Sequence, residues 1–305
     1  MNILITGATG LIGTALNTAL SAEGHKVYGL SRDSAADAIK PEPFYWQPKQ
    51  KIIRFDNSIT IDVVINLAGE NIADRRWTAN SKATIWQSRI DSTKLLSATL
   101  AKLSNKPALL ISASAIGFYG DTGSNMVDEH SEAGNDFLAD LSVAWEQATA
   151  AATEAGIRTV HLRTGIVLSP KGGALAQMLL PFKLGLGGAF GNGQQYMSCI
   201  GLHEAVNIIQ FIMAQESIQG PVNMVAPEAV TNKVFTKTLG AVLKRPTIFT
   251  VPVPIAKFAF GEMADHLLLT GARVKPTVLT AHGYRFIDND LSITLKREIG
   301  KNPNS

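Results

Sequence analysis

Three glycines stand three residues apart near the amino terminus, Gly7, Gly10 and Gly13, in "NILITGATGLIGTAL". The chemistry this spacing offers is phosphate binding. An apolar run (2–6) ends at the first glycine, and an amphipathic stretch (11–23) follows the second. A glycine at a strand end permits a sharp turn. A second, lacking Cβ, lets a pyrophosphate approach the backbone, and a third lets the helix pack close to the sheet. The helix N-terminus then presents free N–H groups and a positive dipole to the phosphates. The candidate contacts are Gly7, Thr9, Gly10, Leu11, Ile12 and Gly13. The bland alternative is that the glycines serve turns alone. Their position between a strand and an amphipathic helix favours a dinucleotide.

The next apolar run (26–31) ends in Ser31-Arg32. A carboxylate here would hydrogen-bond the ribose 2′-hydroxyl of NAD, whereas an arginine pairs with the 2′-phosphate of NADP. No acid occupies positions 30 to 32. Asp33 follows and could turn back, which keeps NAD open, so NADP(H) is favoured over NAD(H). Ser31 and Arg32 join the candidate cofactor contacts.

These residues need a scaffold, and the rest of the chain supplies one. The runs "NILIT", "KVYGLS", "KIIRF" (51–55), "DVVINLA" (62–68), "ALLISAS" (108–114) and "RTVHLRTG" (158–165) are short and nearly continuously apolar, as strands buried on both faces are. Residues 11–23, 79–103 and 136–155 read as helices between them. Strand-helix alternation predicts an α/β fold, a Rossmann-type doubly wound parallel sheet. Past residue 165 the pattern changes to glycine-rich and then proline-punctuated sequence. The expected division is a dinucleotide-binding domain over 1–165 and a mixed region over 166–305. In the latter, about 202–226 complete the sheet and the remainder forms a smaller, partly interleaved substrate lobe.

Composition bounds the rest. The chain has 305 residues, 46% apolar and 17% charged, with net charge +3 and no basic block, which argues against a nucleic-acid surface. A single cysteine, Cys199, excludes an intramolecular disulfide and a cysteine metal cluster. The six histidines show no metal-ligand spacing, so no metal is expected. No run is long enough to span a bilayer, and Met1 leads directly into a strand without a signal-like segment. A cytoplasmic location is the expectation.

Several segments together resemble the short-chain dehydrogenase/reductase superfamily in its extended, epimerase-like branch. "TGATGLIG" (6–13) is similar to its cofactor turn. "NLAG" (66–69) resembles the segment passing under the adenosine half of the cofactor, which implies contacts from Leu67, Ala68 and Gly69. "SASAIGFYGD" (112–121) resembles the strand carrying the catalytic serine. By that resemblance Ser114 is the catalytic serine, Ser112 a cofactor contact and Tyr119 a group on the substrate side. "LRTGIVLSP" (162–170) resembles the turn beside the nicotinamide. "GENIADRRW" (69–77), "QSRIDSTKLL" (87–96), "LGLGGAFGNGQQYMS" (184–198) and "GEMADHLLLTGARVKPTVL" (261–279) narrow the resemblance to a subfamily of nucleoside-diphosphate-sugar epimerase-like proteins. Some of these carry the label "cell division inhibitor". The resemblance implies a small polar substrate, with a nucleotide sugar as one candidate, and a homodimer formed through two helices per subunit.

One feature departs from the superfamily. Active members carry Tyr-x-x-x-Lys on the helix after the serine strand, with the tyrosine as acid/base and the lysine tuning it. The corresponding stretch here, "NDFLADLSVAWEQATAAATEAG" (135–156), contains no Tyr, Lys or Arg. Aligned on Glu146, Leu138 takes the tyrosine position and Ser142 the lysine position. Tyr45 and Lys49 form a false match interrupted by Pro48. Asp128, Glu129 and Arg76 are further polar candidates near the pocket. Relatives carry Trp, His and Asp where this chain has Cys199, Gly201 and His203, while Gln195, Ser198 and Glu204 are retained. Two functions follow from these residues. One is an NADP-dependent epimerase or reductase with Ser114 holding the reacting oxygen. The other is a non-catalytic NADP(H)-binding sensor or scaffold.

Overall fold

The computed structural model describes residues 1–30, 44–56 and 58–300. Six strands form the central sheet: β1 (Asn2–Thr6), β2 (Lys26–Leu30), β3 (Val63–Asn66), β4 (Leu109–Ala115), β5 (Arg158–Thr164) and β6 (Gly220–Met224). Their order is β6-β5-β4-β3-β1-β2, and every pairing is parallel. The helices named below are α1 (Leu11–Ala22), α2 (Ala79–Lys102), α3 (Phe137–Gln147), α4 (Gly173–Lys183), α5 (Leu202–Ala214), α6 (Asn232–Leu243), α7 (Val253–Phe260), α8 (Glu262–Leu267) and α9 (Leu291–Glu298). The doubly wound reading of the sequence holds, and the order reverses between β1 and β3, where such sheets bind ligands.

Alternation along the strands sends side chains to two apolar layers. Ile3, Ile5, Ile65, Ile111, Val160 and Leu162 meet Leu16 and Leu20 of α1 and Ile208, Ile209 and Ile212 of α5. Leu4, Val64 and Leu110 face the other way, against Leu96 and Leu100 of α2. Burying each such side chain contributes about 1.5–3 kcal/mol. The second face turns polar toward the carboxyl ends of the strands. Register places Thr6, Asn66, Ser112 and His161 side by side, and two residues further on Ser114, Arg163 and Asn223.

Two elements differ from the expectation. The run 51–55 does not join the parallel sheet. Ile52–Phe55 pairs antiparallel with Phe44–Gln47 as a hairpin. Its burial alternates, with Ile52 and Arg54 exposed and Ile53 and Phe55 half-buried, so it lacks the two apolar faces a central parallel strand needs. The helix expected over 136–155 is interrupted: α3 ends at Gln147 and a short turn resumes over Ala150–Glu154. The break falls at buried Thr149, whose carbonyl accepts from Ser97 Oγ and whose hydroxyl lies 2.8 Å from Glu146 O and from His161 Nε2.

Beyond residue 165, α5 and β6 close the sheet. The remaining segments pair in two-stranded units, Ile166–Leu168 with Cys199–Gly201 and Gly188–Phe190 with Phe249–Val251, around a separate apolar cluster that includes Leu175, Phe182, Phe235 and Leu295.

Candidate functional site

The glycine turn sits at the carboxyl end of β1. Gly7 has φ +68°, the left-handed region, and a Cβ there would lie 2.9 Å from Leu67 O. A Cβ on Gly13 would lie 2.3 Å from Gly7 O, so α1 can cross the turn this closely only with glycine at that position. Gly10 differs from both. It is exposed, its φ of −76° suits any residue, and a Cβ would meet only Gly7 O at 3.2 Å. It sits at the exposed start of α1, where its N–H donates to Gly7 O and its carbonyl accepts from Thr14 N, each at 2.9 Å. No side chain caps that helix and no acid occupies its first turn, so its N–H groups and dipole are available to an anion. Thr9 is exposed, and Leu11 and Ile12 are half-buried beside the turn. Leu11 also approaches Gly172 and Gly173 at the start of α4.

A polar floor fixes the neighbouring segment. Thr6 Oγ1 donates to Asn66 Oδ1 at 2.7 Å and accepts from the N–H groups of Leu67 and Ala68 at 3.1 Å each. Asn66 Nδ2 donates to Thr93 Oγ1 and to Ser112 Oγ, and Trp145 Nε1 also donates to Thr93. Leu67, Ala68 and Gly69 are thereby held beside the glycine turn. Ser112 is buried, and its hydroxyl belongs to this floor.

The two residues expected to act on substrate belong to one buried chain of hydrogen bonds. Ser114 Oγ donates to Glu146 Oε1 at 2.7 Å. Arg163 grips the same carboxylate with Nε at 2.8 Å and Nη2 at 3.0 Å, and its Nη1 donates to Tyr119 Oη at 3.0 Å. Tyr119 donates onward to Asn223 Oδ1 at 2.7 Å. Burial pushes the Tyr119 phenol up to about 12, against the lowering pull of Arg163. Burial also opposes the Arg163 charge, but Glu146 more than restores it, and the guanidinium stays above its ordinary value. Ser114 therefore directs its one proton to Glu146 and presents lone pairs elsewhere. Leu138 brings an apolar group against Gly117, where a Cβ would be 3.1 Å away, and Ser142 Oγ donates to Leu138 O within its own helix.

The other candidates are placed apart from this chain or beneath it. Glu129 is buried and accepts the N–H groups of Asn223, Thr277 and Val278, and burial raises its pKa. Asp128 accepts from His130 N and Thr277 Oγ1. Arg76 donates to Phe258 O, tying its loop to α7. Gln195 donates to Leu268 O at 2.6 Å, and Ser198 bridges Ala272 O and Val274 N, so both hold the segment after α8. Glu204, buried on α5, accepts from Tyr284 Oη and from the N–H groups of Ile287 and Asp288. His203 opens α5 next to Glu298, and Cys199 is buried. Ser31 and Arg32 lie outside the described residues. Sequence reasoning used Glu146 only as an alignment mark and gave Arg163 and Asn223 no role. The available signal was a charge inside an otherwise apolar strand, "HLRT", with an acid on the adjoining helix.

Residues 3–225 match the model described as the NAD dependent epimerase/dehydratase family, and 251–298 match a domain of unknown function, DUF1731. An epimerase family protein of Mycobacterium bovis is 43% identical over 295 residues, covering 96% of both chains. The epimerase family protein YfhF of Bacillus subtilis is 37% identical, covering 98% of both. Among solved structures, human epimerase family protein SDR39U1 with NADPH superposes with a TM-score of 0.89 at 31% identity, covering 99% of this chain and 100% of that one. A nucleoside-diphosphate sugar epimerase from Corynebacterium glutamicum gives 0.81 at 33% identity, covering 98% of this chain and 58% of that one. By fold and by sequence, the chain belongs to the NAD dependent epimerase/dehydratase family, within the extended short-chain dehydrogenase/reductase superfamily.

Proposed function

We propose that the protein binds NADP(H) across the glycine turn and acts as an NADP-dependent epimerase or oxidoreductase on a small polar substrate, with a nucleotide sugar as the favoured class. The observation that carries this reading is the exposed, uncapped start of α1 at Gly10, in a chain similar over 99% of its length to a human protein solved with NADPH. Gly7, Thr9, Gly10, Leu11, Ile12 and Gly13 would hold the pyrophosphate, Leu67 to Gly69 the adjoining ribose, and Arg32 the 2′-phosphate. The nicotinamide, when bound, supplies or accepts hydride. Ser114 then holds the reacting oxygen. Since its proton is committed to Glu146, it accepts a hydrogen bond from a substrate hydroxyl more readily than it donates one to a carbonyl. Arg163 and Tyr119 position Glu146 and Ser114. With a phenol pushed to about 12 and no lysine on α3, the site favours alcohol-bearing substrates and slow proton transfer.

A second reading has its own support. The same network leaves no tuned acid beside Ser114, which favours a protein that binds NADP(H) and responds to it without turnover. A screen of carbonyl compounds and nucleotide sugars with NADPH and NADP⁺ separates the two. Turnover that falls by one to three orders of magnitude in Ser114→Ala supports the enzyme. Tight NADPH binding with silence across the screen supports the sensor. The homodimer expected from the resemblance is tested by light scattering on the same preparation.

A further inference from the structure

Residues 171–203 and 229–261 contain seven Lys or Arg and no Asp or Glu, while the rest of the chain carries 25 acids against 21 bases. The fold brings parts of both stretches together. Arg245, just after α6, donates from Nε to Lys183 O at the end of α4 at 2.8 Å. A Cβ on Gly185 would lie 3.8 Å from the Pro246 ring. Gly188–Phe190 then pairs in parallel with Phe249–Val251, and α7 starts directly after Pro252.

This acid-free surface is also apolar. Leu184, Leu186 and Ile248 are 64, 60 and 80% exposed, and Phe249 is half exposed. On α7 only Ala256 is buried, whereas Ile255 and Phe258, three residues apart on one face, are 58 and 86% exposed. A surface helix ordinarily turns a polar face to water. α7, "VPIAKFAF", has a single charge, Lys257, which is paired with Asp265 at 2.8 Å. Side chains this exposed project from the protein and do not line a groove. They suit an apolar medium that they can enter. Lys183, Lys244 and Arg245 are exposed beside them, and among the described residues none of the three has an acid at ion-pairing distance.

Projecting Leu, Ile and Phe flanked by bases match a membrane interface, where apolar groups enter the acyl boundary and bases meet lipid phosphates. A nucleic-acid backbone would satisfy the bases and leave the apolar groups in water. We propose that this surface docks the protein on an anionic phospholipid bilayer, with α7 and the loop after α4 entering the interface. No described helix is long and apolar enough to cross a membrane, so the contact is peripheral. None of these residues belongs to the glycine turn or the serine network.

The full-length protein is sedimented with vesicles of phosphatidylcholine alone and of phosphatidylcholine with phosphatidylglycerol. Two double variants accompany it, Ile248→Ser with Phe258→Ser, and Lys183→Gln with Lys244→Asn. Asparagine suits the left-handed backbone at Lys244, where φ is +56°. Melting midpoints serve as the fold control. The wild type should bind the phosphatidylglycerol vesicles about tenfold or more tightly than phosphatidylcholine alone, and added salt should weaken it. Both variants should melt as the wild type does and bind those vesicles about tenfold more weakly. A variant that melts early leaves the decision to the wild type's choice between the two vesicles. A wild type that sediments with neither overturns the proposal, as does binding that both folded variants retain. Tighter binding to soluble poly-glutamate than to the anionic vesicles would assign an acidic protein partner and overturn it. So would a wild-type oligomer that ignores vesicles and dissociates in Ile248→Ser with Phe258→Ser, since the surface would then join copies of this chain.

Discussion

Ser114 shows how little a residue's identity says before its partners are known. Its strand-end position suggests a hydroxyl free to hold substrate oxygen, yet its proton is fixed by Glu146, itself gripped by Arg163. Removing Glu146 leaves a buried guanidinium with Tyr119 as its hydrogen-bond acceptor and the Phe118 ring against its face, so Glu146→Ala should destabilise the fold by about 3 kcal/mol in urea unfolding. Ser114→Ala removes a donor from a carboxylate that keeps its arginine, and should cost about 1 kcal/mol. Equal effects would mean that the network is not organised around the Glu146–Arg163 pair. His161 lies at the edge of the same cluster, 3.9 Å from Glu146. Burial lowers its pKa below the ordinary 6.5, with Glu146 pulling the other way. The unfolded chain therefore binds the proton more readily than the folded one. Its contribution to stability is complete above pH 6.5 and is lost as pH falls toward the folded value. His161→Gln should flatten the loss of stability between pH 7 and 5.5, and an unchanged slope would remove His161 from the account.

At the scale of elements, the glycine turn does its work only because its neighbours are pinned. Thr6 ties β1 to the segment after β3 through one donated and two accepted hydrogen bonds. Thr6→Val keeps the shape and removes all three. It should cost about 2–4 kcal/mol, the scale of leaving several buried polar groups unpaired, and should also weaken NADPH. A variant that loses stability and retains full NADPH affinity would separate the floor from the site. The strands and helices were legible in the sequence because hydrophobic periodicity carries them. The hairpin over 44–55 was not, because "KIIRF" reads as continuously apolar while its outward positions, Ile52 and Arg54, are exposed. The break at Thr149 was hidden as well, since it depends on Ser97 and His161, which lie far from it in sequence.

For the whole molecule, what the sequence carried was local chemistry: glycine spacing, strand-helix alternation and the absence of Tyr and Lys on α3. What it did not carry was convergence. Glu146, Arg163, Tyr119 and Asn223 come from four places in the chain: Arg163 and Asn223 face each other on the paired strands β5 and β6, Tyr119 lies in the turn after β4, and Glu146 on α3. In the proposed reading the choice of NADP(H) rests on Arg32, whose substitution by alanine should weaken NADPH by about 1.5–3 kcal/mol and leave NADH nearly unchanged in calorimetric titration. Equal loss for both dinucleotides would remove that assignment.

In the proposed reading the exposed turn at Gly10 receives the cofactor phosphate. Gly10 has an extended backbone, and an added Cβ would lie 3.2 Å from Gly7 O, a looser approach than the 2.9 Å at Gly7 and the 2.3 Å at Gly13. Calorimetric titration of NADPH into Gly10→Val, alongside wild type and with circular dichroism as the fold control, tests this most directly. The account expects a native spectrum, NADPH binding by the wild type and no detectable binding by the variant. A natively folded Gly10→Val that binds NADPH as the wild type does would contradict it.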